Sequence, residues 1–271
     1  VPVIPVGYSF PVRLNGGVVN LGLPVDVTSR LEKLMLAGHF DVVHVHEPLA
    51  PSLSFTALRE ARSPVVGSFH LTPVGVAAYE LGQSVVDRFF LRLDGRIVTF
   101  ERGRQMMADL FPGRYEVVSC GTGLEPAKSR ASYVEASERT ALYVYRGDAR
   151  RSYRALMRAL SAGLPSGVDR LLVALHRPST ERWLPRAVPR KLRPYVALHE
   201  FTALGELDPF YEAADVVILP YLGGEWLCTS LAEAVASCRP VAGPDLPPLR
   251  EYLALGGSGA WFSPGDAASL G

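Results

Sequence analysis

Cysteine, long apolar runs and an excess of either charge are all scarce in this chain. The formal net charge is +1, which argues against the positively charged surface that nucleic-acid binding requires. Cys120, Cys228 and Cys238 are odd in number and lack the spacing of a metal site, so they favour reduced thiols over a disulfide framework. No apolar run reaches the ~18 residues of a membrane span. We therefore expect a cytoplasmic protein that does not bind nucleic acid.

Two common nucleotide-binding motifs are also missing. The chain has no P-loop, and no G-x-G-x-x-G follows a strand-like run. No arrangement of Ser, His and Asp indicates a nucleophilic triad. What the chain does have is 48% hydrophobic residues over a length of 271, which is enough for two domains with buried cores.

Short apolar runs alternate with helical patterns along the chain. The predicted strands are 42–45, 65–69, 96–100, 116–119, 142–145, 170–175, 195–198, 216–219 and 240–243, and the predicted helices are 29–37, 52–62, 84–93, 102–110, 152–162, 207–213 and 230–237. Such alternation is typical of a parallel sheet covered on both faces. It pauses at 121–138, which reads as a linker. The prediction is an α/β protein with two Rossmann-like, doubly wound parallel-sheet domains, 1–120 and 139–271, facing a cleft.

Both ends of the chain look cut. It opens inside an extended apolar segment, 1–6, without an initiator methionine. Asp266, near the other end, resembles the cap of a helix that does not follow. We expect the chain to be a fragment of a longer protein.

The segment 223–234 carries the most chemical information. It opens with a glycine turn, which lets backbone approach a ligand. The helix that follows offers free N–H groups to a phosphate from its first residues, such as Cys228 and Thr229. Glu225 and Glu233 border this turn, and carboxylates accept hydrogen bonds from hydroxyls. Phosphate and hydroxyls together predict a nucleotide-sugar site; the alternative is an ordinary turn with a solvated Glu225 and with Glu233 on a helix face.

Arginines follow the first strand of the second domain. Arg146 stands at the end of that strand and Arg151 at the start of the next helix. Guanidinium groups in these places can neutralise a diphosphate leaving group. A charged surface loop is the alternative interpretation.

Histidines mark two strand ends in the first domain. Alternation places His44 and His46 on one face of a strand, where His46 and Glu47 could line the cleft. A metal site would need a third ligand that the sequence does not clearly supply, so partly buried histidines are the favoured interpretation. His70 follows the next strand and could donate to a sugar hydroxyl or act near the reacting carbon. A structural histidine is the alternative.

Four separated segments together resemble one family, the retaining glycosyltransferases of family 4, whose GT-B fold consists of two Rossmann-like domains. The matching stretches are 40–54, 69–70, 146–151 and 221–225 with 233–234, and they follow in the family's order. Asn15-Gly16-Gly17 also looks like the family's acceptor-side loop. The strongest likeness is to the phosphatidylinositol mannosyltransferases of actinobacteria.

The resemblance implies a reaction and its partners. A sugar is transferred from a nucleotide diphosphate donor, such as a GDP- or UDP-hexose, to an acceptor hydroxyl. The anomeric configuration is retained, and no metal or other cofactor takes part. A lipid-linked acceptor would bring the protein to the inner face of a membrane. The basic helix by which the mannosyltransferases meet membranes is weak here, because Arg30 and Lys33 flank Glu32.

Roles for individual residues follow from the same resemblance and from the loop described above. They are His70 and Glu225 as catalytic residues, Arg146, Arg151, Cys228 and Thr229 at the donor diphosphate, Glu233 at the ribose, and Asn15 and His46 on the acceptor side. No residue is expected to bind a metal.

Departures from the family pattern cluster at ligand-facing positions. Trp226, Leu227 and Cys228 replace a small pair after the first glutamate, which adds bulk where backbone should approach phosphate. This clustering motivates a second hypothesis, a catalytically degenerate relative that serves as a binding or regulatory protein. A sugar-nucleotide epimerase on the same two-domain scaffold is a third.

Overall fold

The chain divides into two compact units, Val1–Ser119 and Cys120–Gly271, which we call the N-terminal and C-terminal units. The computed structural model describes residues 3–7, 9–14, 17–22, 24–49, 53–70, 87–124, 137–146, 150–176, 183–220, 228–254 and 256–263. Most of the linker predicted at 121–138 lies outside these residues. None of the described helices is long and apolar enough to cross a membrane.

The N-terminal unit combines a parallel sheet with a separate hairpin. Its elements are β1 (Ser9–Leu14), β2 (Gly17–Gly22), α1 (Pro24–Gly38), β3 (Val43–His46), α2 (Leu53–Glu60), β4 (Val65–Phe69), β5 (Gly95–Val98), α3 (Glu101–Leu110) and β6 (Glu116–Val117). The sheet has the order β3-β4-β5-β6, and all its strands are parallel. The strands β1 and β2 form an antiparallel pair that the sequence analysis did not predict.

The C-terminal unit contains a larger parallel sheet. Its elements are β7 (Thr140–Tyr145), α4 (Arg150–Ala159), β8 (Arg170–His176), α5 (Leu184–Ala187), β9 (Val196–Phe201), α6 (Asp208–Ala213), β10 (Val216–Ile218), α7 (Cys228–Ala236), β11 (Val241–Pro244), α8 (Pro247–Leu253) and β12 (Gly259–Phe262), with 3-10 turns at Leu160–Ala162, Arg190–Tyr195 and Leu204–Glu206. The strand order is β12-β11-β10-β7-β8-β9.

This order makes the C-terminal unit doubly wound. The chain runs outward from β7 through β8 to β9, then returns to the other side of β7 and runs outward again through β10, β11 and β12. The strands β7 and β10 are therefore parallel neighbours, but the chain leaves them toward opposite sides of the sheet. In such sheets the carboxyl ends of the two diverging strands border the crevice in which ligands bind.

Burial explains why the strands read as continuous apolar runs. Every residue of β7 is buried, and β8 is buried at its five central positions. A parallel sheet with helices on both faces requires this, because both sides of each central strand face the core. In the N-terminal unit the core includes Phe69, Phe90 and Phe111, and the rings of Phe90 and Phe111 stack with centroids 4.7 Å apart. The predicted alternation of strands and helices is confirmed in both units.

Candidate active site

The diverging strands of the C-terminal sheet bring together two residues predicted as ligand contacts. Arg146 directly follows β7, and Glu233 lies on α7, the helix that follows β10. Because β7 and β10 are neighbours, their carboxyl ends meet at the same edge of the sheet. The Arg146 guanidinium donates through Nη2 to Glu233 Oε1 and forms an ion pair with it.

Glu233 is almost completely enclosed. Only 2% of its side chain is exposed, against 22% for Arg146. Its second oxygen, Oε2, accepts a hydrogen bond of 2.7 Å from the hydroxyl of Tyr211 on α6. A buried carboxylate is tolerated only when it is paired and hydrogen-bonded, and the two contacts meet that need. Among the described residues, Nε of Arg146 is buried without a hydrogen-bond partner.

The role of Tyr211 is absent from the sequence predictions. A tyrosine inside a short helical pattern usually reads as core, and Tyr211 is indeed buried with 1% exposure. Its hydroxyl nevertheless meets a carboxylate 22 positions further along the chain. No local signal could have identified it, because the contact exists only once α6 and α7 pack beside β7 and β10.

Arg151 occupies a different surface. It is exposed on the outer face of α4, where it lines a groove with Arg154 and Arg158. Within the described part of the chain, no hydrogen bond or ion pair links it to Arg146 or Glu233. Its predicted place at the donor diphosphate stays a prediction.

Two further predicted residues lie at the start of α7. Thr229 is exposed as the second residue of α7, and Cys228 begins that helix. Both therefore stand at a helix N-terminus, as predicted, where backbone N–H groups are free of intrahelical partners. Glu225 and Asn15 lie outside the described residues, and so do Trp226 and Leu227.

The histidines of the N-terminal unit form a cluster across two strands. His46 pairs with Ser68 in the register of β3 and β4, which brings His46 beside His70 just after β4. His46 Nδ1 and His70 Nε2 are 2.7 Å apart, and the two rings stack with centroids 5.0 Å apart. The ring of His44 lies 4.6 Å from that of His46, which confirms that both are on one face of β3. Both residues are largely exposed, although burial still desolvates part of His46, so the prediction of partly buried histidines stays a prediction.

Glu47 holds His70 from a second side. Its carboxylate accepts a 2.7 Å hydrogen bond from the backbone N–H of His70. Its own backbone is left-handed, with φ of 50°, a conformation that costs energy for any residue with a side chain. Strain of this kind is typical of functional sites. Glu47 was predicted from the sequence to lie near the cleft, but its contact with His70 was not predicted.

The surroundings of His46 favour its neutral form. Partial desolvation and the neighbouring His70 and His44 lower the pKa of His46 from its ordinary 6.5, although Glu47 opposes the shift. A hydrogen bond between two rings needs one nitrogen that donates and one that accepts. The 2.7 Å contact therefore disappears if both rings carry a charge. Among the described residues, no three His, Cys, Asp or Glu side chains are grouped so as to hold a metal ion.

Comparison with known families agrees with this architecture unit by unit. The model of Glycosyltransferase Family 4 matches residues 3–125, and the model of Glycosyl transferases group 1 matches residues 138–271. Together they account for nearly the whole chain. The chain is a glycosyltransferase of the family 4 and group 1 type. This assignment agrees with the resemblance noted from its motifs.

Similar proteins support the same assignment. A phosphatidyl-myo-inositol mannosyltransferase from Mycobacterium leprae (strain TN) is 29% identical over 277 residues, which cover 99% of this chain and 72% of the mycobacterial protein. Among solved structures, sucrose-phosphate synthase from Thermosynechococcus elongatus superposes with a TM-score of 0.71 at 19% identity over 91% of this glycosyltransferase and 67% of the synthase. Anabaena Alr3699/HepE in complex with UDP-glucose gives 0.66 at 17% identity over 89% and 70%. These structures confirm the GT-B fold.

Proposed function

We propose that this glycosyltransferase moves a hexose from a GDP- or UDP-hexose to an acceptor hydroxyl with retention of anomeric configuration. The observation that carries the proposal is the Arg146–Glu233 pair at the carboxyl ends of β7 and β10, because ligands of doubly wound sheets bind at this point. The Anabaena structure cited above contains UDP-glucose, which supports a sugar nucleotide as the donor.

In this proposal the Arg146–Glu233 contact changes when the donor binds. The diphosphate carries more negative charge than one carboxylate, so Arg146 exchanges Glu233 for the diphosphate oxygens. Glu233 Oε1 is then free to accept a hydrogen bond from a ribose hydroxyl, and Tyr211 continues to hold Oε2. The exchange couples diphosphate binding to ribose binding within a single unit of the protein.

The proposed reaction needs no cofactor, because the bonds broken and formed and the proton transferred balance among donor and acceptor. The bond between the anomeric carbon and the diphosphate oxygen breaks, and its electron pair leaves with the nucleotide. The acceptor oxygen forms the new bond on the same face, and its proton passes to the departing diphosphate. Arg146 and Arg151 stabilise the negative charge that develops there, a task that other enzymes give to a metal ion. His70 and Glu225 act at the sugar, and Asn15 and His46 on the acceptor side.

A lipid or glycolipid acceptor is the further part of the proposal. The mycobacterial relative is named for a phosphatidyl-myo-inositol substrate. We infer an acceptor hydroxyl of this class for the present chain, with a cytoplasmic protein that works peripherally at the inner membrane face. Of the two domains predicted from the sequence, 1–120 would then carry the acceptor-side function and 139–271 the donor-side function.

The same contact favours a second candidate function. With Glu233 buried and both its oxygens engaged, a nucleotide must displace Arg146 before its ribose can bind. If the ion pair does not open, the protein is a degenerate relative that binds or regulates a partner without turning over a donor.

Calorimetry with GDP and UDP separates the two functions. Donor use predicts that the wild-type chain binds at least one of the nucleotides, and that Arg146→Gln weakens this binding by about 10- to 100-fold, the value of a charge-assisted hydrogen bond. Arg139→Gln is the matched control, because Arg139 is an exposed arginine at the opposite end of the same strand. If neither nucleotide binds, or if both variants bind like wild type, donor use is refuted. Release of nucleotide from a panel of GDP- and UDP-hexoses then tests turnover.

A further inference from the structure

A groove of about 450 Å³ lies along the outer face of α4 in the C-terminal unit. Arg151, Arg154 and Arg158 line it on one side, and Ala187 and Pro189 on the other. Spacings of three and four residues place the three guanidinium groups on one face of the helix. Since α4 starts at the carboxyl edge of the sheet and runs back toward the opposite edge, the groove extends away from the Arg146–Glu233 pair.

The described residues around this groove do not compensate its positive charge. Among them, none of the three arginines forms an ion pair, and no carboxylate lines the groove. Like charges at these spacings repel each other and weaken the helix. The segment 150–199 contains eleven of the 28 Lys and Arg residues of the chain but only two of its 27 Asp and Glu residues. The segment that contains the groove is thus far richer in positive charge than the chain as a whole, whose net charge is +1.

The groove is built in advance of any ligand. Its two walls are joined by the buried Tyr153, whose hydroxyl donates a 3.0 Å hydrogen bond to the backbone oxygen of Leu184. Between the walls, the guanidinium groups of Arg150 and Arg154 each lie 4.8 Å from the ring centroid of Trp183. These contacts hold α4 and α5 at a constant spacing, so binding would cost little ordering of the walls.

We propose that this groove binds the phosphate groups of anionic phospholipids and holds the C-terminal unit against a negatively charged membrane surface. Arg154 and Arg158, which the donor site does not use, are one helical turn apart, roughly 6 Å along the helix, so their guanidinium groups can contact neighbouring phosphate groups. The inference is independent of which donor or acceptor the enzyme uses.

Vesicle flotation with the full chain tests the proposal. The vesicles contain phosphatidylcholine alone or with about 30% phosphatidylglycerol, an anionic lipid other than the inositol lipid proposed as acceptor. We expect binding only to the anionic vesicles, and weaker binding at high salt. The double variant Arg154→Gln/Arg158→Gln should bind roughly thirtyfold less tightly, at about fivefold for each charge removed.

Two further variants make the result specific. Arg30→Gln/Lys33→Gln removes the same charge from α1 and should bind like wild type. Arg158→Glu leaves the Arg154–Trp183 contact intact, so its weaker binding with an unchanged melting temperature would exclude misfolding as the cause.

The proposal is overturned if the wild-type protein does not bind anionic vesicles, or if the α1 variant loses as much affinity as the α4 variant. Displacement by inorganic phosphate well beyond that by sodium chloride of equal ionic strength would instead indicate a free-phosphate site. Binding of an RNA oligomer without vesicle binding would also refute it.

Discussion

The guanidinium of Arg146 pairs with the carboxylate of Glu233, 87 positions further along the chain. One residue ends the first strand of the C-terminal unit, and the other belongs to the helix after its fourth strand. The pair lies at the carboxyl ends of the neighbouring strands β7 and β10. Its members were predicted to bind different parts of one ligand, and the structure joins them to each other.

The first prediction concerns the stability of this pair. Arg146→Met leaves the Glu233 carboxylate buried, with Tyr211 as its remaining hydrogen-bond partner among the described residues, and should lower the free energy of unfolding by about 2–3 kcal/mol. This is less than the ~3–5 kcal/mol of a fully buried pair, since Arg146 is partly exposed. Adding Glu233→Gln removes the uncompensated charge, so the double variant should be more stable than Arg146→Met. Urea unfolding of the three proteins measures this, and a double variant less stable than the single one would contradict it.

The second prediction concerns Tyr211. Tyr211→Phe keeps the ring but removes the hydroxyl that donates to Glu233 Oε2. A hydrogen bond to a charged group is worth about 1.5–3 kcal/mol, and the unfolding free energy should fall by this amount. Tyr195→Phe is the matched control, because Tyr195 is exposed and its loss of a hydroxyl should change stability by less than about 0.5 kcal/mol. Equal effects in the two variants would show that Tyr211 does not support the carboxylate.

The third prediction concerns the backbone of Glu47. Glu47→Gly and Glu47→Ala both remove the carboxylate that accepts from the His70 N–H. Only glycine adopts the observed φ of 50° without steric cost. The glycine variant should therefore be about 1 kcal/mol more stable than the alanine variant. Thermal melts of the two variants decide the matter, and an alanine variant of equal stability would mean that Glu47 carries no backbone strain.

The fourth prediction concerns pH. The pKa of His46 is lowered from 6.5 by desolvation and by the neighbouring imidazoles, so the unfolded chain binds this proton more readily than the folded chain. The stability that neutral His46 contributes is present above the unfolded pKa and is lost as the pH falls through the lowered folded pKa. From about pH 7.5 to about pH 5 the melting temperature of wild type should fall further than that of His46→Gln. Parallel falls would argue against a coupled histidine cluster.

Local sequence patterns were sufficient to predict the strands that position the site residues. The buried runs of β4, β7 and β8 were predicted close to their observed bounds, because a strand covered on both faces needs consecutive apolar residues. Alternation in β3 correctly placed His44 and His46 on one face. The β1–β2 hairpin, α5, α8 and β12 were not predicted. These segments are short, or contain Pro and Gly that interrupt the pattern, and long-range packing decides their structure.

The sequence by itself determined the family, the two α/β units and the residues at strand ends where chemistry could occur. The motifs around His46, His70, Arg146 and Glu233 contain that information locally. Only the tertiary structure decided which of these residues meet. The return of the chain to place β10 beside β7 brings Arg146 and Tyr211 to Glu233, and the pairing of β3 with β4 brings His46 to His70. Periodicity repeats over a few residues, whereas the order of strands in a sheet depends on contacts between distant segments.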